Sequence, residues 1–313
     1  MNDKFDFYNS TNIKSYNLDD SIRYQLKQLD GLDAYTRRHT DNVANITCRL
    51  CENLHLSKDF TVYTTICAYL HDIGKIFIPP SVLQKPSKLT DEEFEIMKTH
   101  TTIGYKMCMN DPKLRPYSVG PLYHHEALNG LGYPNGVKKQ DIPYEAQIIR
   151  VADEFEAITA KRQYKSHIGI VDALNIVIEN ATPMPPKTLG EGVKNIGNMK
   201  YGKNNPKIVR QLFRVVIDDT EYEISAKMSY IDFLKDEIKR MHYAMKFYDK
   251  MVRAHSPEKR EYHKQEVKYC LKAQEDPEKV PQMLKEFEEA IKVREADIKK
   301  LYSEVKQIKH LKV

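Results

Sequence analysis

Two dipeptides some fifty residues apart, His71-Asp72 and His124-His125, constrain this chain more than any other feature. An adjacent His-Asp pair can put an imidazole nitrogen on one metal ion while its carboxylate bridges to a second, and adjacent histidines add two neutral ligands to that second ion. The pattern reads as a two-metal phosphohydrolase centre. One short segment cannot close such a site, so the chain has to bring several helices to one point.

Apolar spacing supports helices. Tyr35, His39, Val43, Ile46 and Leu50 recur at helical intervals, which places His39 on a core-facing stripe. Thr90-Asp91-Glu92-Glu93 has the form of a capping box and predicts the start of a helix carrying Met97 and His100. Val62 to Leu70 reads as a further helix whose C-terminal end delivers His71 and Asp72. A β-rich alternative lacks the alternating runs it needs, so the expected class is mainly α.

At 313 residues and 41% apolar content, the chain has room for about two domains and a packed core. Charged residues make up 30%, mean hydropathy is −0.61, and no apolar run approaches the length of a bilayer span. The polar stretch Met1 to Asp20 lacks the pattern of a secretory signal, and a soluble cytoplasmic protein is expected. Cys48, Cys51, Cys67, Cys108 and Cys270 are an odd, sparse set, which argues for reduced thiols. The Cys48-Arg49-Leu50-Cys51 spacing has no second Cys pair and lies in a helical run, so buried thiols are preferred to a zinc or redox site.

The net charge of +5 is unevenly spread: residues 181–313 hold 28 Lys+Arg against 21 Asp+Glu, leaving 21 against 23 before them. Between positions 187 and 214, seven basic residues face only Glu191, among Pro185-Pro186 and four glycines. That stretch predicts a boundary, with a first domain over 1–184, a basic linker over 185–214 and a C-terminal helical region over 215–313. The linker has few interleaved aromatics, so nucleic-acid binding is not expected. Beyond it, Phe213–Ile217 and Glu221–Ile224 around Asp218-Asp219-Thr220 suggest a small β-hairpin. Two 3-4 spaced series follow, Ile231 to Val252 and Leu284 to Ile308, with Ser256-Pro257 as N-cap and first residue of a helix between them. A helical hairpin or three-helix bundle is the plain reading. Pairing with a second copy or another protein through these helices is a lesser expectation, which a monomer mass in light scattering would sink.

Five of the eleven histidines (His39, His71, His100, His124 and His125) precede the boundary in contexts suited to ligation. Singly, each is more often an ordinary core or surface histidine. Jointly with Asp72 and Asp153, a metal-free reading leaves several buried polar groups without partners, at a few kcal/mol each. Two divalent ions held by two carboxylates and five imidazoles make a positive centre suited to an anionic phosphodiester.

These residues carry a resemblance. His71-Asp72-Ile73-Gly74-Lys75, Ile78-Pro79, His100, His124-His125-Glu126, Gly130-Leu131-Gly132-Tyr133-Pro134, Ile142-Pro143 and Ala152-Asp153 fall in the order and approximate spacing of the HD-GYP family, over roughly residues 20–180. The chain resembles that family's metal-dependent phosphohydrolases, helical in their core, which typically hydrolyse the bacterial second messenger cyclic di-GMP. The resemblance implies one metal on His39, His71, Asp72 and Asp153, and a second on Asp72 with His100, His124 and His125. It implies iron or manganese first, with zinc or nickel as alternatives. Lys75 would stabilise charge at the scissile phosphate, Arg162 and Lys165 would hold the substrate phosphates, and Tyr133 would line a guanine pocket.

Departures narrow this inheritance. Some family members hold a third metal with a glutamate four residues before the first histidine; here that residue is Tyr35, so two metals are expected. Asn129, Glu156 and Gln163 stand where aspartate, aspartate and proline are frequent, which bears on substrate fit more than on metal binding. Without the surrounding motif, Lys75 would read as a cap for its own helix end and Arg162 with Lys165 as a solvated face. Three functions remain in order: a cyclic di-GMP phosphodiesterase yielding the linear dinucleotide or GMP, a phosphohydrolase for another cyclic dinucleotide or phosphoester, and a binding module without turnover. No sensor or receiver segment is recognised ahead of the core.

Overall fold

The computed structural model describes residues 20–32, 34–160, 168–183, 201–271 and 276–313. Among these residues the chain is helical, with no strand. The helices are α1 (Asp20–Asp30), α2 (Ala34–Asn53), α3 (Lys58–Leu70), α4 (Pro80–Leu83), α5 (Asp91–Asn110), α6 (Val119–Tyr123), α7 (Tyr144–Thr159), α8 (Ile170–Ala181), α9 (Pro206–Val252), α10 (Pro257–Cys270) and α11 (Val280–His310). They form two compact units, one running to Val216 and taking in His310–Val313, the other Ile217–Lys309.

In the first unit α3 is the central helix. Every residue from Thr64 to Leu70 is buried, so it meets neighbours on all sides, with α2, α6 and α7 packed around it. Ser57 starts it by accepting from the Phe60 N–H. The interior contains threonines that hydropathy does not flag: Thr40 and Thr65 are buried because their hydroxyls donate to the Thr36 and Thr61 carbonyls at 3.0 and 2.7 Å. The capping box at Thr90 forms as expected, with reciprocal Thr90 and Glu93 bonds opening α5. After α3 the chain makes a 3-10 turn, Ile73–Phe77, that lies directly on α5. Gly74 permits the approach, since a Cβ there would overlap the carbonyl oxygen of His100.

All five cysteines are free and buried, and burial pushes the Cys48 and Cys51 thiols up to about 12. They are inert packing residues, as expected.

The expected β-hairpin is corrected. Residues 213–224 belong to the continuous helix α9, and its buried positions Leu212, Val216, Thr220, Ile224, Ile231 and Leu234 keep helical spacing straight through Asp218-Asp219. Period outweighed the β-branched propensity of Val215, Val216 and Ile217. Residues 206–214, expected in the basic linker, also open α9, whereas 184–200 lie outside the described residues.

In the second unit α9, α10 and α11 share a core of Met241, Ala244, Phe247, Val267, Cys270, Leu271 and Val280. Ser256 and Pro257 occupy the N-cap and first helical positions of α10. Met241 is fully buried, so Met241→Ala is expected to cost this unit about 2–5 kcal/mol through lost packing and the cavity left behind. Thermal unfolding followed by circular dichroism should show an earlier transition for the second unit.

Candidate metal centre

Five segments of the first unit deliver the polar cluster. His39 comes from the middle of α2, His71 and Asp72 from the end of α3, His100 from α5, His124 and His125 from the end of α6, and Asp153 from α7. His39, His71, Asp72, His100, His124 and Asp153 are all buried, and His125 is partly buried.

Asp72 stands at the middle, and its two oxygens lie near different rings. Oδ2 lies 3.5 Å from His39 Nε2 and 3.2 Å from His71 Nε2. Oδ1 lies 3.4 Å from His100 Nε2 and 3.9 Å from His124 Nε2. Asp153 adds Oδ1 at 3.1 Å from His39 Nε2 and Oδ2 at 3.8 Å from His125 Nδ1. Among the described residues, three groups of side chains have ligand atoms close enough to hold a metal ion: His39 with His71 and Asp153, His71 with Asp72 and His124, and His100 with His124 and His125.

The ring orientations are set from behind. Nδ1 of His71 meets the Ala68 carbonyl at 2.6 Å, Nδ1 of His100 meets that of Met97 at 2.7 Å, and Nδ1 of His124 meets Gly120 at 2.9 Å and Pro121 at 3.0 Å. A carbonyl can only accept, so Nδ1 of each ring carries a proton and Nε2 is the nitrogen left to face the cluster. His39 is held the same way by the Glu156 carboxylate, which also accepts from Asn42 Nδ2 at 2.9 Å.

This arrangement is costly without a cation. Nε2 of His100 and Nε2 of His124 face one another at 3.2 Å. Burial is the main cause that drives both rings toward the neutral form, to about 4 for His100 and about 3 for His124, so at neutral pH two lone pairs point at each other. His71 Nε2 and Asp72 Oδ1 are buried with no hydrogen-bond partner. Burial opposes ionisation of Asp72 and Asp153, yet His71 and Lys75 beside the first, and His39 and His125 beside the second, hold both carboxyls well below the usual range. Burial likewise opposes a charged His39, but its bonds to Asp153 and Glu156 prevail and raise it to about 9. The donor set of imidazoles and carboxylates is that of a divalent transition-metal site, and the orphaned atoms fit one.

Lys75 pairs with Asp72 Oδ2 from the following 3-10 turn. The Tyr133 ring lies 4.6 Å from that of His125, tilted by 33°, and the Tyr133 backbone N–H donates to the His125 carbonyl at 3.2 Å. Tyr35 lies flat against His39, with ring centroids 6.0 Å apart. Arg162, Gln163 and Lys165 lie outside the described residues.

The roles of two carboxylates were not legible in the sequence. Glu156, read in sequence only as a departure affecting substrate fit, orients His39; its place three residues after Asp153 on one helix face was the available signal. Glu126 is buried and accepts from the backbone N–H groups of Asn135 at 2.7 Å and Val137 at 3.1 Å, which shapes the loop carrying Tyr133. In the sequence it was quoted only within the His124-His125-Glu126 motif, with no role of its own.

Several known proteins are similar to part of this chain. The chain is 36% identical over 191 residues to the cyclic di-GMP phosphodiesterase of Thermotoga maritima, covering 60% of this chain and 47% of that protein. It is 40% identical over 136 residues to the cyclic di-GMP phosphodiesterase response regulator RpfG of Xanthomonas campestris, covering 42% and 36%. It is 34% identical over 157 residues to 3'3'-cGAMP-specific phosphodiesterase 3 of Vibrio cholerae, covering 49% and 34%. The chain thus matches less than half the length of each of these relatives. No helix among the described residues is long and apolar enough to cross a membrane. Residues 23–183, just over half of the chain, match the HD domain family, and with the His-Asp, His-His and Gly-Tyr-Pro motifs assembled around one centre, the chain belongs to that family and to its HD-GYP type.

Proposed function

We propose that the first unit is a two-metal cyclic-dinucleotide phosphodiesterase, with cyclic di-GMP as its preferred substrate. One ion would be held by His39, His71, Asp72 and Asp153, and the second by Asp72, His100, His124 and His125. The observation that carries the reading is the split of Asp72: one oxygen faces the His39 and His71 rings and the other faces His100 and His124. Tyr35 in place of a carboxylate supports two ions and not three. The mixed nitrogen and oxygen set suits iron or manganese, and zinc or nickel to a lesser degree. Two such ions, when bound, would supply Lewis acidity and lower the pKa of a water that serves as nucleophile.

The chain's own residues then bind and orient. Lys75, ion-paired with Asp72, would stabilise charge on the scissile phosphate, and the family resemblance alone supports Arg162 and Lys165 as holding the substrate phosphates. Tyr133 offers a face for a guanine. Phe94, 45% exposed on α5, stands edge-on to Tyr133 with ring centroids 6.1 Å apart, and Lys98 Nζ lies 5.5 Å and 5.8 Å from the two centroids. An exposed aromatic beside Tyr133 suits a stacked purine, worth about 1–3 kcal/mol per base.

The test is metal analysis joined to hydrolysis of cyclic di-GMP, 3'3'-cGAMP and bis(p-nitrophenyl) phosphate by the same preparation. We expect two metals per chain and fastest turnover of cyclic di-GMP; metal-loaded, folded protein that leaves every cyclic dinucleotide uncut sinks the proposal. A preference for 3'3'-cGAMP would favour a second reading, supported by the likeness to the Vibrio protein. In the same assay Phe94→Ala should raise KM for the cyclic dinucleotide roughly tenfold. It should leave cleavage of the purine-free ester unchanged.

A further inference from the structure

His125 differs from the other histidines of the cluster. The rings of His39, His71, His100 and His124 are each anchored through Nδ1 by a carbonyl or carboxylate, whereas His125 turns its Nδ1 toward Asp153. Among the described residues no comparable anchor holds its other ring nitrogen. The residue is held by its backbone instead. Its carbonyl oxygen accepts from the Tyr133 N–H at 3.2 Å and from the Arg150 guanidinium at 3.2 Å, and Gly132 lies against it so closely that a Cβ would overlap it.

Arg150 lies on α7, one turn before Asp153, and is itself fixed. Its Nε donates to Asn204 Oδ1 at 3.0 Å. Asn204 is 1% exposed, and its amide nitrogen donates to Glu154 Oε2 at 2.6 Å, while Asn180 donates to the other oxygen of Glu154. The Asn204 and Lys203 N–H groups both reach the Asn180 carbonyl, at 2.9 and 2.6 Å, and the Lys203 carbonyl accepts from Leu128 N–H at 3.0 Å. Residues 201–205 therefore form a strap tied both to the end of α8 and to the loop after His125, immediately before α9 begins.

We propose that Arg150 is the positioning residue for His125, setting the ring through the backbone, and that Asn204 on the 201–205 strap holds Arg150 in place. The proposal rests on the two-metal reading above and adds to it a support for one ligand of the second ion. An outer residue that orients a ligand typically changes metal affinity 10–100-fold when removed. Loss of Arg150 should therefore weaken the ion shared by His100, His124 and His125 and spare the ion on His39 and His71.

The test is calorimetric titration of the metal-free full chain with Mn2+, with bound metal counted by elemental analysis. The unaltered chain should bind two ions. Arg150→Ala should weaken the second by about 10–100-fold with the first unchanged, Arg150→Lys should restore part of the loss, and Asn204→Ala should weaken the same ion to a smaller degree. Wild-type affinity for both ions in Arg150→Ala and Asn204→Ala overturns the proposal, as does equal weakening of both ions, which marks general loosening. Should Arg150→Ala fail to fold, Arg150→Lys and Asn204→Ala decide the matter. An unaltered chain that binds no Mn2+ sinks the two-metal reading itself, and that result precedes any variant.

Discussion

Asp72→Asn is expected to leave a folded protein that neither retains its full metal complement nor turns over a cyclic dinucleotide. The substitution keeps the side chain's shape but removes the one negative charge lying between four imidazoles. Each ion would lose a charged oxygen ligand, and an amide nitrogen would face one set of imidazole lone pairs. Metal ions supply several kcal/mol of transition-state stabilisation in such chemistry, and each 1.36 kcal/mol is tenfold in rate, so kcat should fall by at least about a thousandfold. Metal counting and steady-state kinetics on one preparation check both halves. Two tightly held ions with near-normal turnover would remove Asp72 from its bridging role.

Gly74→Ala is expected to be the most disruptive small substitution near the centre. Gly74 is buried, and a Cβ there would overlap the backbone of His100 and Gly104 on α5. The obstacle is backbone, not a flexible side chain, so either the Ile73–Phe77 turn or α5 has to retreat. Overpacking of this kind costs about 1–3 kcal/mol. For a unit of this size that corresponds to a Tm lower by roughly 3–10 °C. Because Asp72 and His100 sit on the two surfaces being pushed apart, metal uptake should fall along with stability. Differential scanning calorimetry with and without Mn2+ separates the two effects; an unchanged Tm together with unchanged uptake would show that the contact relaxes freely.

The two substitutions also show how differently sequence and structure carry information. Asp72 was recognisable because its chemistry is written in its neighbours, a histidine before it and a Gly-Lys soon after. The tight approach at Gly74 was not, since nothing local says that α5 will lie on that turn. The same contrast runs through the rest. Helical period identified α2 and the capping box at Thr90 the start of α5, whereas α9 was broken into a hairpin because Phe213–Ile217 looks strand-like when read alone. Its continuation is evident only in the buried series that runs past Asp218-Asp219.

By itself, the sequence determined the residue types of the centre, the helical class and the family, since a His-Asp pair, a His-His pair and an apolar period are local patterns of composition. Tertiary structure decided which atom of each residue faces the centre: Asp72 divided between two groups, four Nδ1 atoms turned to carbonyls or Glu156, and His125 held through Arg150 and Asn204. The reason is physical. A ligand's orientation is set by the groups behind it, and in this fold Glu156 and Asn204 stand more than seventy residues from the histidines they hold or help to hold.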